Sequence, residues 1–339
     1  MKSPSSLIVI FLALLVGLGV TFRSVHVVKR GHVTPLRSAM ADPPPHDAHI
    51  VRREVVPSVD LKNAPTIFAT LPVKASSGQY AERIHSLGKN VPEQEQRALV
   101  AWICSPKPMH ISDRKWHYLV NEVMDSLCQQ SRPLSSLTDI LIGIVYDKSK
   151  GIVVRDYAIQ HFVNWIQPSY PNYSCETNPG KRKDIISTMV DAAGQSKESF
   201  SGTALEGLHL ILLKRQQQNQ EYDLLPLPFS VEELHEVGVA LATGDEVTDL
   251  ARITALQVCA QRGFSEILPC ARTIASNAAK PSSLRLSAIA AIGQLGTSED
   301  LSLLENIQSE HNRQLEGAVN TALNALQVGL PSRAKPITK

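Results

Sequence analysis

The chain has 339 residues, 43% of them hydrophobic and 5% aromatic, with a formal net charge of +2. That length allows either two or more ordinary domains or one elongated array with tails, and the abundance of Ala and Leu over aromatics suits thin packed helices better than a sheet sandwich. Charge is unevenly spread: residues 1–78 are net +5, whereas residues 79–330 are net −6. This argues against a nucleic-acid groove, which needs clustered Lys and Arg.

Residues 1–6 form a short flank before an uncharged run from Leu7 to Phe22. As a helix this run spans about 24 Å at 1.5 Å per residue, against a bilayer core of about 30 Å. No small-residue cleavage site follows directly, because Arg23-Ser24-Val25-His26 comes next and Ala39-Met40-Ala41 is distant. The expectation is an uncleaved single-pass anchor over residues 7–22. Cations on the downstream flank favour a cytoplasmic body, yet an apolar run near a chain start often drives export, so the side stays open. Residues 23–78 carry Pro35, Pro43, Pro44, Pro45, Pro57, Pro65 and Pro72 and show no helical period. They read as a disordered Pro-rich tether whose coil dimension is on the order of 40 Å.

Beyond it, apolar residues recur at helical spacing. Helices are expected over 79–87, 92–104 and 112–130, forming an N-terminal cap within residues 79–134. Helix pairs then follow over residues 135–327: 135–147 with 152–166, 181–193 with 198–215, 230–243 with 246–262, and 264–276 with 282–295. A last pair is lined by Leu301, Leu304 and Ile307 on one side and by Leu315, Val319, Ala322, Leu323 and Leu326 on the other. Ser230-Val231-Glu232-Glu233 fits a capping box, Gly244 and Gly263 follow helix ends, and Gly296 suits a left-handed one. Gly207, Gly238, Gly293 and Gly317 lie inside helices, where close approach of a neighbour would offset a cost of up to about 1 kcal/mol. Residues 328–339 are a basic tail with Arg333, Lys335 and Lys339.

A phrase recurs through the second half: Arg155-Asp156-Tyr157-Ala158, Ser201-Gly202-Thr203-Ala204, Arg252-Ile253-Thr254-Ala255, Arg285-Leu286-Ser287-Ala288 and Leu315-Glu316-Gly317-Ala318. Recurrence of a helical unit implies an all-α solenoid of stacked helix pairs, each burying its apolar face against its neighbours. Leu284-Arg-Leu-Ser-Ala-Ile-Ala-Ala-Ile-Gly-Gln-Leu-Gly296 resembles the second helix of a HEAT-type repeat, and Val154-Arg-Asp-Tyr-Ala158 is similar to the same helix. The resemblance covers 152–327 and thins out over 79–151. It implies an α-solenoid that commonly serves as a scaffold for protein partners.

The recurring Ala residues are separated by 46, 51, 33 and 30 positions, so two repeats are stretched, by loops 167–180 and 216–229. Both follow a second helix, which places them on one edge of an array. Tyr170, Tyr173, Tyr222, Leu225, Leu227 and Phe229 are the candidate partner-binding residues. The alternative for Leu225, Leu227 and Phe229 is that they pack back on the helices as a staple.

Catalytic and metal-ligating residues are not evident. The HEAT-like iron hydroxylases that modify deoxyhypusine need several His-Glu pairs, and only His235-Glu236 occurs. His85, His110, His117, His161, His209, His235 and His311 are dispersed, and they read as surface or satisfied core positions. His46 and His49 sit beside prolines, Trp102, Trp116 and Trp165 lie on apolar faces, and the five cysteines form no C-x-x-C pair. No G-x-S-x-G elbow or phosphate loop is present. The expectation is therefore a membrane-tethered protein-interaction module or scaffold with no catalytic activity and no cofactor. The alternative is a HEAT-like enzyme or cofactor-handling protein of the lyase type, and a third option is a mainly structural envelope protein.

Overall fold

The computed structural model describes residues 76–109, 111–165, 179–217 and 229–328. They are all-α, in thirteen helices: α1 (Ser77–His85), α2 (Glu93–Cys104), α3 (Asp113–Cys128), α4 (Leu137–Tyr146), α5 (Ile152–Trp165), α6 (Pro179–Ala193), α7 (Phe200–Gln217), α8 (Val231–Thr243), α9 (Asp249–Arg262), α10 (Leu268–Ser276), α11 (Ser282–Leu295), α12 (Leu301–Gln308) and α13 (Arg313–Val328). The expected helices fall within a few residues of these bounds. The apolar run 7–22, nearly all of the tether 23–78, all but one residue of the tail 328–339, and most of both long loops lie outside the described residues. Among the described residues no helix is long and apolar enough to cross a membrane.

The odd-numbered helices pack in sequence, α1 on α3 on α5 through to α13, and each even-numbered helix packs on the odd-numbered one that follows it. Direction is set by side chains: the Lys115 ammonium lies 4.4 Å from the centre of the Tyr80 ring, and His85 meets Glu122 at 2.5 Å. Both numbers rise together along the two helices, so α1 and α3 are parallel. The core runs through all the pairs; in α11 it takes Leu284, Ala288, Ile289, Ala291 and Ile292. Each fully buried Leu or Ile stabilises by about 1.5–3 kcal/mol.

The recurring phrase has a physical meaning. Its Ala residues 158, 204, 255 and 288 are fully buried. Its arginines close the helix before them: Arg155 Nε donates to the Val145 carbonyl at 2.8 Å, Arg285 Nε to the Ala275 carbonyl at 2.9 Å, and Arg252 Nη2 to the Gly244 carbonyl. A cation on the last carbonyls satisfies acceptors that a helix C-terminus leaves without partners and complements its dipole. Two of the arginines also reach forward into the next pair. Arg285 grips both Glu310 oxygens at 2.8 Å, and Arg155 meets Glu198 at 3.5 Å with the Phe200 ring 4.6 Å from its guanidinium.

The capping box forms as expected, with Glu233 N–H donating to Ser230 Oγ at 3.1 Å and Ser230 N–H to Glu233 Oε2 at 2.7 Å. Gly263 has the left-handed φ of 77°. Gly296 does not: its φ is −69°, and a side chain is excluded there because a Cβ would run into the Ile292 carbonyl and the Asp300 carboxylate. Close approach also explains Gly207 against Met189 and Val163, Gly238 against Cys259, and Gly293, where a Cβ would stand 2.9 Å from Ala322. Gly317 departs from the expectation, since a Cβ there would meet nothing within 4 Å.

Candidate functional site

Polar side chains bridge successive odd-numbered helices. From α3, Asn121 Oδ1 pairs with His161 Nε2 of α5 at 3.2 Å. His161 is 5% exposed, its Nδ1 has no hydrogen-bond partner, and burial pushes its pKa down against the opposing pull of Asp125 and Asn121. The residue is therefore in the core but not satisfied there, which corrects the expectation of a satisfied or surface position. On the other side of α5, Asp156 Oδ2 accepts from Gln160 Nε2 at 3.0 Å, one turn along, and Thr203 of α7 lies near the same carboxyl. Its Oδ1 is buried without a partner. Burial raises the Asp156 pKa, and Thr203 and Gln160 only partly offset this.

Parallel packing of α5 and α7 sets what lies next. Asp156 faces Thr203, and Val163 abuts Gly207, so Glu206 falls between these levels, beside the Gln160 turn. Thr203 and Glu206 differ by about 4.5 Å of helical rise, so Glu206 sits on α7 about one turn beyond the level of Asp156. Burial also raises the Glu206 pKa, with no opposing contribution.

One turn further, Arg262 of α9 holds His209. Its Nε donates to His209 Nδ1 at 2.8 Å, Nη2 to the His209 carbonyl at 3.0 Å, and Nη1 to Gln216 Oε1 at 3.0 Å. Because Nδ1 accepts, the imidazole proton sits on Nε2. Burial, then the Arg262 charge, pushes the His209 pKa down to about 4, with Gln261 opposing. The seam continues with Gln257 of α9 to Ser287 of α11 at 3.3 Å.

Two carboxyls biased toward the protonated form and two imidazoles biased toward the neutral form thus line neighbouring helices. Side chains shifted in this way are candidates for acid–base work. A metal centre is not supported. Among the described residues no group of three or more His, Cys, Asp or Glu could hold an ion. His235 of the single His-Glu pair is engaged elsewhere, with Glu266 at 3.3 Å and the Phe264 ring edge-on at 4.7 Å.

Of the six residues expected to bind a partner, Tyr170, Tyr173, Tyr222, Leu225 and Leu227 lie outside the described residues. Phe229 is 5% exposed and belongs to the core. It stands just before the Ser230 cap and Leu234 stands four residues beyond it, both buried, which is the spacing of a hydrophobic staple. Trp116 is buried as expected, with Trp102 packed on it at 4.6 Å between ring centres. Cys128 and Cys259 are buried too, and burial pushes the Cys259 thiol up to about 12, where it stays protonated and inert.

Asp156, Glu206, His161 and His209 were not singled out as site residues from sequence. One signal was present: in the apolar run Phe200–Leu213, Glu206 and His209 are the only titratable residues. Dispersal along the chain concealed their alignment across helices.

No family model matches the chain, and no curated protein matches it. Among solved structures it is similar to human deoxyhypusine hydroxylase in complex with glycerol, at 13% identity and a TM-score of 0.32, over 79% of this chain and 96% of that one. That protein is an enzyme, but a likeness this weak does not speak for the activity of this chain, and it lends no support to the expectations of a non-catalytic scaffold and of no enzymatic activity.

Proposed function

We propose that the chain is a HEAT-like α-solenoid enzyme, attached to a membrane through residues 7–22, whose acid–base site lies across α5 and α7. The observation that carries this is the Asp156 carboxyl: half-buried, held by Gln160 at 3.0 Å, pushed by burial toward its protonated form, and with an enclosed Oδ1 that has no hydrogen-bond partner. A buried polar atom without a partner costs about 1–3 kcal/mol, and folds retain that cost where a bound ligand recovers it.

In this reading Asp156 is the general acid, giving its proton to an oxygen or nitrogen of the ligand. Glu206, about one turn along α7 from that level, is the second proton carrier. His209, held by Arg262 with its proton at Nε2, marks the far end of the site. Carboxyls shifted toward the protonated form and imidazoles shifted toward the neutral form favour an uncharged polar ligand over an ion.

The test is a comparison of metabolite extracts incubated with the wild-type chain and with Asp156→Asn/Glu206→Gln. The expected result is at least one metabolite consumed and one formed by the wild type, with the rate reduced about 10²- to 10⁴-fold in the variant, the usual contribution of a positioned acid or base. Identical extracts after both incubations would overturn the proposal.

A further inference from the structure

Of the six large apolar residues exposed among the described residues, five gather at one edge, and the sixth, Val328, ends α13. Met109, fully exposed, sits in the α2–α3 turn, Tyr118 in the first half of α3, Tyr146 and Ile152 flank the α4–α5 turn, and Leu250 opens α9. All five belong to the edge made by the turns from even-numbered to odd-numbered helices. The first two turns are stitched together, since Lys150 Nζ donates to the carbonyls of Cys104 and Ser105. His117 of α3 lies 4.0 Å from where a Cβ on Gly151 would stand.

Charge divides this edge. Residues 105–115 and 147–151 hold five cations (Lys107, Arg114, Lys115, Lys148 and Lys150) against Asp113, which pairs with Lys107 at 2.7 Å, and Asp147. Residues 244–249, beside Leu250, hold Asp245, Glu246 and Asp249 and no cation. The described chain begins at this same edge, because α1 runs parallel to α3 and starts at Ser77 with its Ser76 cap. An apolar tip ringed by cations, at the edge where the chain enters the fold, is the composition that settles into a bilayer surface. Apolar groups enter the headgroup boundary while Lys and Arg meet anionic lipid, each cation contributing about 1 kcal/mol.

We propose that the α2–α3 and α4–α5 turns form a membrane-surface patch, with Met109 and Ile152 inserted among headgroups and Lys107, Arg114 and Lys148 against anionic phosphates. The patch is distinct from the acid–base site, and it rests on the membrane attachment proposed for residues 7–22. It would hold the array in one orientation over the bilayer, which attachment through residues 7–22 alone does not do.

The full chain is bound to phosphatidylcholine vesicles with or without phosphatidylserine, carrying a benzophenone side chain in place of Met109 or, as a control, of Leu250. The expected result is a lipid adduct at 109 that requires phosphatidylserine and falls about tenfold or more in Lys107→Gln/Arg114→Gln/Lys148→Gln, with little adduct at 250. Far-ultraviolet circular dichroism checks that the variants are folded. A chain that floats with the vesicles but gives no lipid adduct at 109, or equal adducts at 109 and 250, would overturn the patch while leaving the attachment intact. A chain that does not float would overturn both.

Discussion

Replacing Arg285 with Met tests the mechanical meaning of the recurring phrase. The side chain is 2% exposed, and it makes one hydrogen bond to the Ala275 carbonyl and two to the Glu310 carboxylate. Met keeps most of the aliphatic stem, so the cavity cost is small and the loss is mainly polar. A hydrogen bond to a charged group contributes about 1.5–3 kcal/mol, and breaking a buried ion pair costs about 3–5 kcal/mol. The Glu310 side chain is 32% exposed, however, so water recovers part of its share. The expected loss is about 2–4 kcal/mol, or roughly 5–15 °C in Tm for a fold of this size. Urea and thermal unfolding followed by circular dichroism measure it, and hydrogen exchange should localise the loosening to α10, α11 and α13. Glu310→Gln, which still accepts a hydrogen bond, should cost no more than about 1 kcal/mol. A loss below about 1 kcal/mol for Arg285→Met, or equal losses for both variants, would refute the clamp.

Two further outcomes follow from burial and charge. Gly207→Ala should destabilise by about 1 kcal/mol or more, because Val163 is branched and cannot yield as Met189 can. Gly317→Ala, with nothing within 4 Å, should stabilise by about 0.5–1 kcal/mol, and thermal melts showing the same sign for both would contradict this packing. For His209, the folded pKa of about 4 lies below the unfolded value of about 6.5. The unfolded chain therefore binds the extra proton first, so stability is fully present above pH 6.5 and is lost as pH falls toward 4. His209→Gln, whose amide oxygen can still accept from Arg262, should flatten that slope; an unchanged slope in urea midpoints across this range would show that His209 is not its source.

Helices and their pairing were legible in the sequence because they depend on local signals: apolar period, the Ser230 capping box, Gly263 after a helix end. The Arg-x-x-Ala phrase was legible as a pattern but not as a device. Arg155 and Arg285 act on carbonyls ten residues back and on carboxylates in the next pair, and only folding brings these together. The same holds for Asp156 and Glu206. Each occupies a position that on an isolated helix is an ordinary solvated one, and each acquires its shifted protonation from the neighbouring helix that covers it. Gly296 misled because a glycine after a helix usually signals a left-handed residue, whereas here Asp300 and the Ile292 carbonyl exclude a side chain from an extended one. Phe229 was legible in two readings, as a loop anchor and as a staple, and its burial just before the Ser230 cap fits the staple.

The central claim is that α5 and α7 hold two carboxyls that burial shifts toward their protonated form. Carbon-13 carboxyl labelling of Asp and Glu, with Asp156→Asn and Glu206→Gln to assign the signals, reads their titrations directly. The account predicts that both titrate above the ordinary values of about 3.9 and 4.3. It also predicts that Asp156→Asn is more stable than the wild type at neutral pH. A carboxyl whose folded pKa is raised supports the fold below its unfolded pKa and loses that support as pH rises through the folded one. Titration of both groups at or below the ordinary values would contradict it.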